Sequence, residues 1–314
     1  MHTVSQWWMW IIFIGFVAVM LWADFFLLGG KKAHRVTTKE ALIWTLVWVA
    51  LSFLFNFLFW LYLIHHHDIA VANQKSIAFL TGYLIEKSLS TDNIFIILMI
   101  FNYFAIPAEY QRRVLMLGVI GAIVMRLILI VFGIYLVNQF EWILYLFGLF
   151  LLVTGIKMFI FADHKPNLAQ NPILNWMRKH LRITSELHNE RFYIFQKGLL
   201  YFTPLFAVLV LIEITDLIFA VDSIPAIFAI TNDPFIIFTS NIFAVLGLRA
   251  LYFLLAHMHN RFHLLKYGLA FILVFIGIKM LIVDWVHIPP LAGFAVIITT
   301  LLISIVSSIF ISKT

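Results

Sequence analysis

Long apolar segments dominate the sequence and decide what it can fold into. Each has about 20 residues or more, the length that an α-helix needs to cross the hydrocarbon core of a bilayer. Backbone hydrogen bonds can be satisfied there only within helices or closed barrels. We therefore predict an all-α integral membrane protein with about nine transmembrane helices, near residues 8–28, 41–64, 76–104, 114–137, 141–161, 199–230, 235–257, 264–284 and 289–311.

Composition supports the membrane assignment. The chain is 63% hydrophobic and 11% charged, whereas soluble domains have about 45–50% apolar and 25% charged residues. The N-terminus lacks a basic n-region and a cleavage site, which indicates a retained first helix. The net charge of +6 lies mostly in loops, so we expect the lipid bilayer and no nucleic acid as partner. The sequence identifies no protein partner, no catalytic residues and no organic cofactor, and we do not expect an enzyme.

The basic loops predict the orientation. If there are nine spans, all the basic segments lie on one side, and the opposite loops contain only Lys75. The positive-inside rule then places the N-terminus outside and the C-terminus in the cytoplasm. The basic residues are Lys31, Lys32, Arg35, Lys39, Arg112, Arg113, Lys165, Arg178, Lys179, Arg182, Arg191, Lys197, Arg261, Lys266 and Lys313.

One apolar stretch carries charges that need a reason. Residues 212–228 contain Glu213, Asp216 and Asp222 but no Lys or Arg. An acidic side chain at the bilayer centre costs about 2.5–3.5 kcal/mol on insertion scales, so such residues usually face a polar interior and a partner. The expected partner is a cation.

The acidic pattern occurs twice. Glu86, Asp92 and Asn93 in the third run have the same spacing as Asp216, Asp222 and Ser223 in the sixth, and Arg126, Arg249 and two GIKM elements (155–158 and 277–280) follow in the same order. These repeats divide the chain into an N-terminal two-helix segment (1–75), a first three-helix repeat (76–161), a cytoplasmic loop (162–198), a second three-helix repeat (199–284) and a C-terminal helix (285–314).

Each repeat contains three spans, and an odd number makes successive copies enter the membrane from opposite sides. Such an inverted repeat is typical of secondary transporters, whose substrate site lies near the midplane on interrupted helices. Residues six apart on a continuous helix point about 240° apart, so we expect a break in both acidic helices. Glu86, Asp92, Asp216 and Asp222 would then converge, with Asp92 and Asp222 approaching each other and Glu213 one turn from Asp216.

A site of this composition offers oxygen ligands. Carboxylates, with help from Asn93 and Ser223, suit Mn²⁺, Mg²⁺ or Ca²⁺, and the sequence does not rank these three ions. Asp24 either lines the cytoplasmic access to this site or accepts a hydrogen bond from a helix end. The alternative is that the acids are structural and are neutralised by Lys87, Arg126 and Arg249.

The loop 162–198 is the longest polar region. We interpret it as a linker with a short amphipathic helix around Ile173–Leu181. A protein that binds partners through this loop, without transport, is the alternative function.

The segments YLIEKSLSTDNIF, EITDLIFAVDSIPAIFA and LGLRALYFLL and the two GIKM elements resemble the TerC family of bacterial membrane proteins, especially its Alx-type branch. The resemblance implies an inner-membrane protein of the lysine-exporter-like transporter group, with Mn²⁺ as exported ion and alternating access. It also implies Glu86, Asp92, Asp216 and Asp222 as metal residues, with Glu213 and Asp24 near them. Proton exchange remains an option, and a scaffold linked to tellurium resistance or to metal delivery remains the alternative.

Overall fold

The computed structural model describes residues 4–27, 37–140, 142–160, 171–184, 186–196, 198–256, 264–286 and 288–311, although the side chains of 24–27, 92 and 309 lie outside the description. The described part contains eleven helices and one β-hairpin. They are α1 (Trp7–Leu27), α2 (Thr38–His66), α3 (Ile69–Tyr103), α4 (Ala108–Gln139), α5 (Ile143–Ile160), α6 (Pro172–His180), β1 (Tyr193–Gln196), β2 (Leu199–Phe202), α7 (Pro204–Phe228), α8 (Pro234–Leu246), α9 (Leu248–Ala256), α10 (Leu265–Leu281) and α11 (Pro290–Phe310).

The helices confirm a multi-pass integral membrane protein. In the described part of the chain, five helices (α2, α4, α5, α7 and α11) are long and apolar enough to cross a bilayer, and α8 with α9 makes a sixth if that bent pair is one span. Every predicted span overlaps a helix, but α10 has only 17 residues and α3 carries Glu86, Lys87 and Asp92. The count of nine therefore stays a prediction.

The structure corrects the predicted sixth run at its start. Residues 199–202 form β2, which pairs antiparallel with β1, so the fold is not purely α-helical. The helix begins only at Pro204, where the missing amide hydrogen of proline costs nothing because the first helical turn has no acceptor for it. The short helix predicted in the loop is confirmed as α6, which Asn171 caps by accepting from the amides of Ile173 and Leu174.

The predicted breaks in the acidic helices are wrong, because α3 and α7 are both continuous through their acidic residues. The hydroxyl of Thr91 bonds within the same helix, to the carbonyl of Lys87 at 3.0 Å. Pro225 falls three residues before the end of α7, so the backbone hydrogen bond that proline cannot make is lost only in the last turn of that helix. The interruption lies instead at Gly247, where α8 and α9 meet at 40°.

Packing places α3 in the centre of the bundle, in contact with α2, α7, α8 and α11. Helices α5 and α10 pack closely against each other, and α4 packs on α7. Phenylalanines of α1, α2 and α8, including the buried Phe13, Phe235 and Phe243, fill the space between those helices. By contrast, α2, α4 and α11 each keep a row of exposed apolar side chains, as expected for surfaces that face lipid.

Contacts at the helix ends show which ends lie together. The carboxylate of Asp233, at the start of α8, accepts from the backbone of Val4 and from Lys75 at the start of α3. At the opposite end, Arg113 of α4 pairs with Glu190 of the loop at 3.3 Å. The predicted orientation requires these same helix ends to lie together. The assignment of one end to the cytoplasm stays a prediction.

Candidate intramembrane site

Three charged side chains meet in the middle of the bundle. Glu86 and Arg126 are each 1% exposed and Asp216 is 4% exposed. Each lies close to the midpoint of its own long helix, α3, α4 and α7 respectively. The cluster therefore lies about halfway along each of these three helices.

The guanidinium of Arg126 bridges the two acids. Its Nη2 and Nε donate to the two carboxylate oxygens of Asp216 at 3.0 and 3.3 Å, and its Nη1 donates to Glu86 Oε1. Such a two-pronged pairing suits the planar guanidinium and a carboxylate. Because a buried unpaired charge is costly, this ion triad explains how α3, α4 and α7 tolerate charge at their centres.

Amide side chains complete the cluster. Asn241 of α8 donates to Glu86 Oε2 at 3.1 Å, and Asn93 donates to Asp216 Oδ1 at 3.0 Å. The carbonyl oxygen of Asn93 is buried and has no hydrogen-bond partner among the described residues. With two carboxylates and one guanidinium, the triad has a net charge of −1 when all three groups are ionised.

A small cavity lies beside this cluster. Its volume is about 30 Å³, and its wall includes Ser90, Asn93, Asp216, Gly118 and Arg249. A single water needs roughly 10–15 Å³ measured in this way. The cavity can therefore hold one or two water-sized particles beside Asp216 and Asn93.

The other predicted site residues do not join the triad. The carboxylate of Asp222 lies 3.5 Å from the hydroxyl of Thr154 on α5, and the hydroxyl of Ser223 lies 3.5 Å from the carbonyl of Ala220 in its own helix. Glu213 presses against Gly121 of α4, and one of its oxygens is buried without a hydrogen-bond partner among the described residues. The side chains of Asp24 and Asp92 lie outside the described residues.

The convergence of four acids on one point is not seen. Among the described side chains, no three acids or histidines lie close enough together to hold one ion. The predicted counter-ion role applies to Arg126, whereas Lys87 donates to the backbone carbonyl of Ala244 at 3.2 Å. The structure brings together Glu86, Asp216 and Asn93 of the predicted set.

Continuous helices also change where the remaining acids lie. Helices α3 and α7 run antiparallel, because Gly82 lies beside Ile227 whereas Asn93, further along α3, bonds Asp216, earlier on α7. The two contacts define one register, in which Asp92 lies about level with Asp216 and Asp222 about level with Glu86. At 1.5 Å per residue, Asp92 and Asp222 are thus separated by about 7–8 Å along the helix axes. Their approach to each other stays a prediction.

Comparison with known proteins decides the family. The model of the integral membrane protein TerC family matches residues 71–314, which is most of the chain and includes the whole triad. The chain belongs to the TerC family. Its fold adds detail that comparison alone would not give, since no solved structure matches it.

Several relatives of this TerC chain are similar over nearly their full length. A protein of Shigella flexneri is 55% identical over 306 residues, which cover 98% of this chain and 96% of the relative. One of Photorhabdus laumondii is 51% identical over 313 residues, covering 100% and 98%. Both are named Alx, with the provisional description of a membrane-bound redox modulator. An uncharacterized membrane protein of Myxococcus xanthus is 42% identical over 305 residues, covering 97% and 93%.

Sequence reasoning missed two glycines that shape the site of this TerC protein. A side chain at Gly247 would meet the ammonium of Lys87 at 2.7 Å and Trp48 at 3.1 Å, so any larger residue there would have to displace both side chains. Gly121 similarly leaves room for the carboxylate of Glu213. The available signal was the Gly247–Leu248–Arg249 segment, since a glycine inside an apolar run can mark a helix break.

Proposed function

We propose that this TerC-family protein exports a divalent metal cation, in the first place Mn²⁺, across the bacterial inner membrane by alternating access. The observation that supports this most is the buried Glu86–Arg126–Asp216 triad, which lies at the middle of three long helices beside a small, mostly apolar cavity whose wall includes Asp216, Asn93 and Ser90. Intramembrane ionisable residues commonly mark ion pathways. The protein is then a transporter rather than an enzyme.

The charge balance of the helices favours a cation as the transported ion. The central parts of α3, α4, α7 and α9 contain five acids (Glu86, Asp92, Glu213, Asp216 and Asp222) and three bases (Lys87, Arg126 and Arg249). Lys157 of α5 is a fourth base, which interacts electrostatically with Asp222. The difference of 5 − 4 leaves one negative charge when all groups are ionised. A purely structural network has no use for an uncompensated negative charge in a low-dielectric interior.

The cavity indicates which groups would bind the ion. Asp216, Asn93 and Ser90 all line it, and among the described residues the buried carbonyl oxygen of Asn93 has no hydrogen-bond partner. Oxygen ligands of this kind suit Mn²⁺ and Mg²⁺, which favour octahedral coordination with some water retained. Because Arg126 already holds both oxygens of Asp216, an arriving cation would compete with the guanidinium for that carboxylate.

Acids at successive depths supply a path. Glu213 lies towards the end of the bundle where α7 begins, and Asp92 lies at about the level of Asp216. Asp222 lies at about the level of Glu86, towards the end that holds Asp233. If the Asp233 end is external, a cation leaving the cytoplasm would meet Glu213 first, Asp216 and Asp92 next, and Glu86 and Asp222 last. Carboxylates that release a metal can take up protons, so we include proton exchange in the proposal.

The packing of α5 on α10 supports an inverted repeat of 76–161 and 199–284. A side chain at Gly155 would meet the backbone of Ala270 and Val274 at 2.9 Å, and one at Gly277 would meet the backbone of Gly148 and Leu152 at 2.8 and 2.7 Å. Adding 122 to position 155 gives 277, and subtracting 122 from positions 270 and 274 gives 148 and 152. The two sets of contacts are therefore the same when the two repeats are exchanged. Likewise α3 packs on α8 and α4 packs on α7. These two pairs are equivalent when the repeats are exchanged, because α3 corresponds to α7 and α4 corresponds to α8.

The description of the Alx relatives concerns redox chemistry. Within its 314 residues this chain contains no cysteine, so it has no thiol of its own to oxidise or reduce. We therefore propose that any redox effect of this protein acts through another molecule, such as the metal that it transports.

The test is transport by the purified protein in sealed vesicles loaded with a dye that Mn²⁺ quenches. We expect the unaltered chain to move Mn²⁺, and Asp222→Asn and Asp92→Asn each to reduce the initial rate at least about tenfold, since a loss of about 1.4 kcal/mol of cation stabilisation already changes an equilibrium tenfold. Competition by Mg²⁺ and Ca²⁺ in the same assay ranks the three ions.

Asp284→Asn is the matched control, because it removes the same charge from an exposed site that accepts from Tyr145. Its transport rate should equal that of the unaltered protein. In cells under manganese load, the two site variants should accumulate Mn²⁺ at unchanged protein level. Normal transport and normal manganese content in both single variants and the double variant would falsify the metal role.

A further inference from the structure

The β-hairpin of the loop presents an apolar face that is defined here by Tyr193, Phe195, Leu200 and Phe202 and called the hairpin face. Side chains alternate along a strand, and Tyr193 pairs with Phe202 and Phe195 with Leu200, so all four side chains lie on one side. Tyr193 is 57% and Phe195 71% exposed. The opposite side holds the buried Ile194, which fixes the hairpin to the rest of the protein.

The hairpin face continues onto a spanning helix. Phe202 stacks on Phe206 with ring centroids 4.3 Å apart, and Phe206 lies in the first turn of α7. The hairpin therefore sits at the level where α7 leaves the bilayer. Tyrosine and tryptophan are enriched at this level because their rings are apolar and their polar atoms reach water.

Positive charge accompanies the apolar face. Arg182 and Arg191 are exposed on the segments that lead into the hairpin, and Arg178, Lys179 and the exposed Trp176 lie on the amphipathic helix α6. The loop 162–198 contains six Lys or Arg and three Asp or Glu, a net charge of 6 − 3 = +3. Clusters of this kind beside a spanning helix attract anionic phospholipid headgroups.

We propose that the hairpin face docks into the headgroup region of an anionic lipid bilayer, next to the end of α7, and that the basic residues of the loop bind the lipid phosphates. The bilayer is favoured over a second copy or a protein partner because the face is continuous with a helix that lies in lipid and carries the complementary charge. This anchor holds the loop against the membrane at the end of the bundle where α4 and α7 begin. It is independent of the ion that the protein transports.

The absence of native cysteine allows a direct test on the full chain. A nitroxide label is attached to Phe195→Cys, on the hairpin face, or to Gln196→Cys, the next residue on the opposite side, which is also exposed. The proteins are placed in vesicles of phosphatidylcholine alone or mixed with phosphatidylglycerol. Relaxation of the label by oxygen, which concentrates among acyl chains, is compared with relaxation by a water-soluble nickel chelate.

We expect the ratio of oxygen to nickel accessibility to be several-fold higher at position 195 than at 196, and to rise further with phosphatidylglycerol. Adding Tyr193→Ser and Leu200→Ser should lower the ratio at 195 towards that at 196. Equal ratios at the two positions would overturn the proposal. A label at 195 that neither reagent reaches, and whose shielding depends on protein density, would also overturn the proposal. That result would show that a second copy of the chain covers the hairpin face. A ratio that phosphatidylglycerol leaves unchanged would refute the role of the basic residues.

Discussion

Arg126 is the centre of the site, because its positive charge pairs with both Glu86 and Asp216. Its guanidinium satisfies three carboxylate oxygens and also donates to Asn241 at 3.2 Å. Lysine at this position would keep the charge but would offer no planar fork, so it could not hold both carboxylates in the same way. The residue is thus a structural partner of both acids and, under the proposed function, the group with which the cation would compete.

Replacing Arg126 with methionine should destabilise the protein by about 3–5 kcal/mol, because it leaves two buried carboxylates without their cation. Adding Glu86→Gln should recover part of this loss, since contacting residues couple by about 0.5–3 kcal/mol. The measurement is thermal unfolding of the purified single and double variants in detergent. Strictly additive losses would show that the two side chains do not depend on each other.

At the scale of residues, much of the site was predictable and its geometry was not. The repeat of acidic residues pointed to Glu86 and Asp216 because carboxylates in apolar segments stand out. It gave no information on which acids meet, since that depends on the depth and direction of α3 and α7. The position of Asn241 opposite Glu86 depends in the same way on how α8 packs on α3.

Helices α5 and α10 pack so closely that each determines the position of the other. Gly148, Gly155 and Gly277 let the two backbones approach so closely that any side chain there would meet backbone atoms at 2.7–2.9 Å or the buried Met280 at 2.8 Å. Small residues commonly allow such close packing of helices in membranes. Neither helix can move away from the other without losing these contacts, so the pair acts as one rigid unit.

Gly155→Ala and Gly277→Ala should each destabilise the protein by about 1–3 kcal/mol, as overpacking of a close contact does. The two losses should be similar, because the contacts of the two glycines are related by the repeat. Gly15→Ala in α1 is the control, since no described atom lies within 4 Å of a side chain there, and alanine favours the helix. Unfolding temperatures in detergent measure all three, and a loss at Gly15 as large as at Gly155 would contradict the packing argument.

Among elements, the runs of apolar residues located the helices because a long apolar segment has few alternatives in a bilayer. The apolar runs did not predict the β-strand. Leu199 to Phe202 form a strand because the neighbouring segment 193–196 pairs with it. The break at Gly247 was likewise not predicted, because the apolar run continues through it and Lys87 and Trp48, which pack beside it, are distant in sequence.

For the molecule as a whole, the distribution of charge is the feature that links fold to function. The ends of α1, α3 and α8 that meet at Asp233 contain Lys75 as their paired cation, whereas Arg113, the loop 162–198 and the start of α10 lie at the other end. The positive-inside rule assigns this second, basic end to the cytoplasm. The proposed export would then run from the side of Glu213 towards Asp222.

That orientation predicts which single cysteines an impermeant maleimide can label in right-side-out spheroplasts. His67→Cys, at the exposed end of α2, should react in sealed spheroplasts. Asn175→Cys on α6 and Gln170→Cys in the loop 162–198 should react only after the membrane is permeabilised, because the basic loop is retained in the cytoplasm. The chain without added cysteine, which has no thiol of its own, is the background control. If Asn175→Cys and Gln170→Cys react in sealed spheroplasts while His67→Cys is protected, the protein has the opposite orientation, and the same acidic path would run inward.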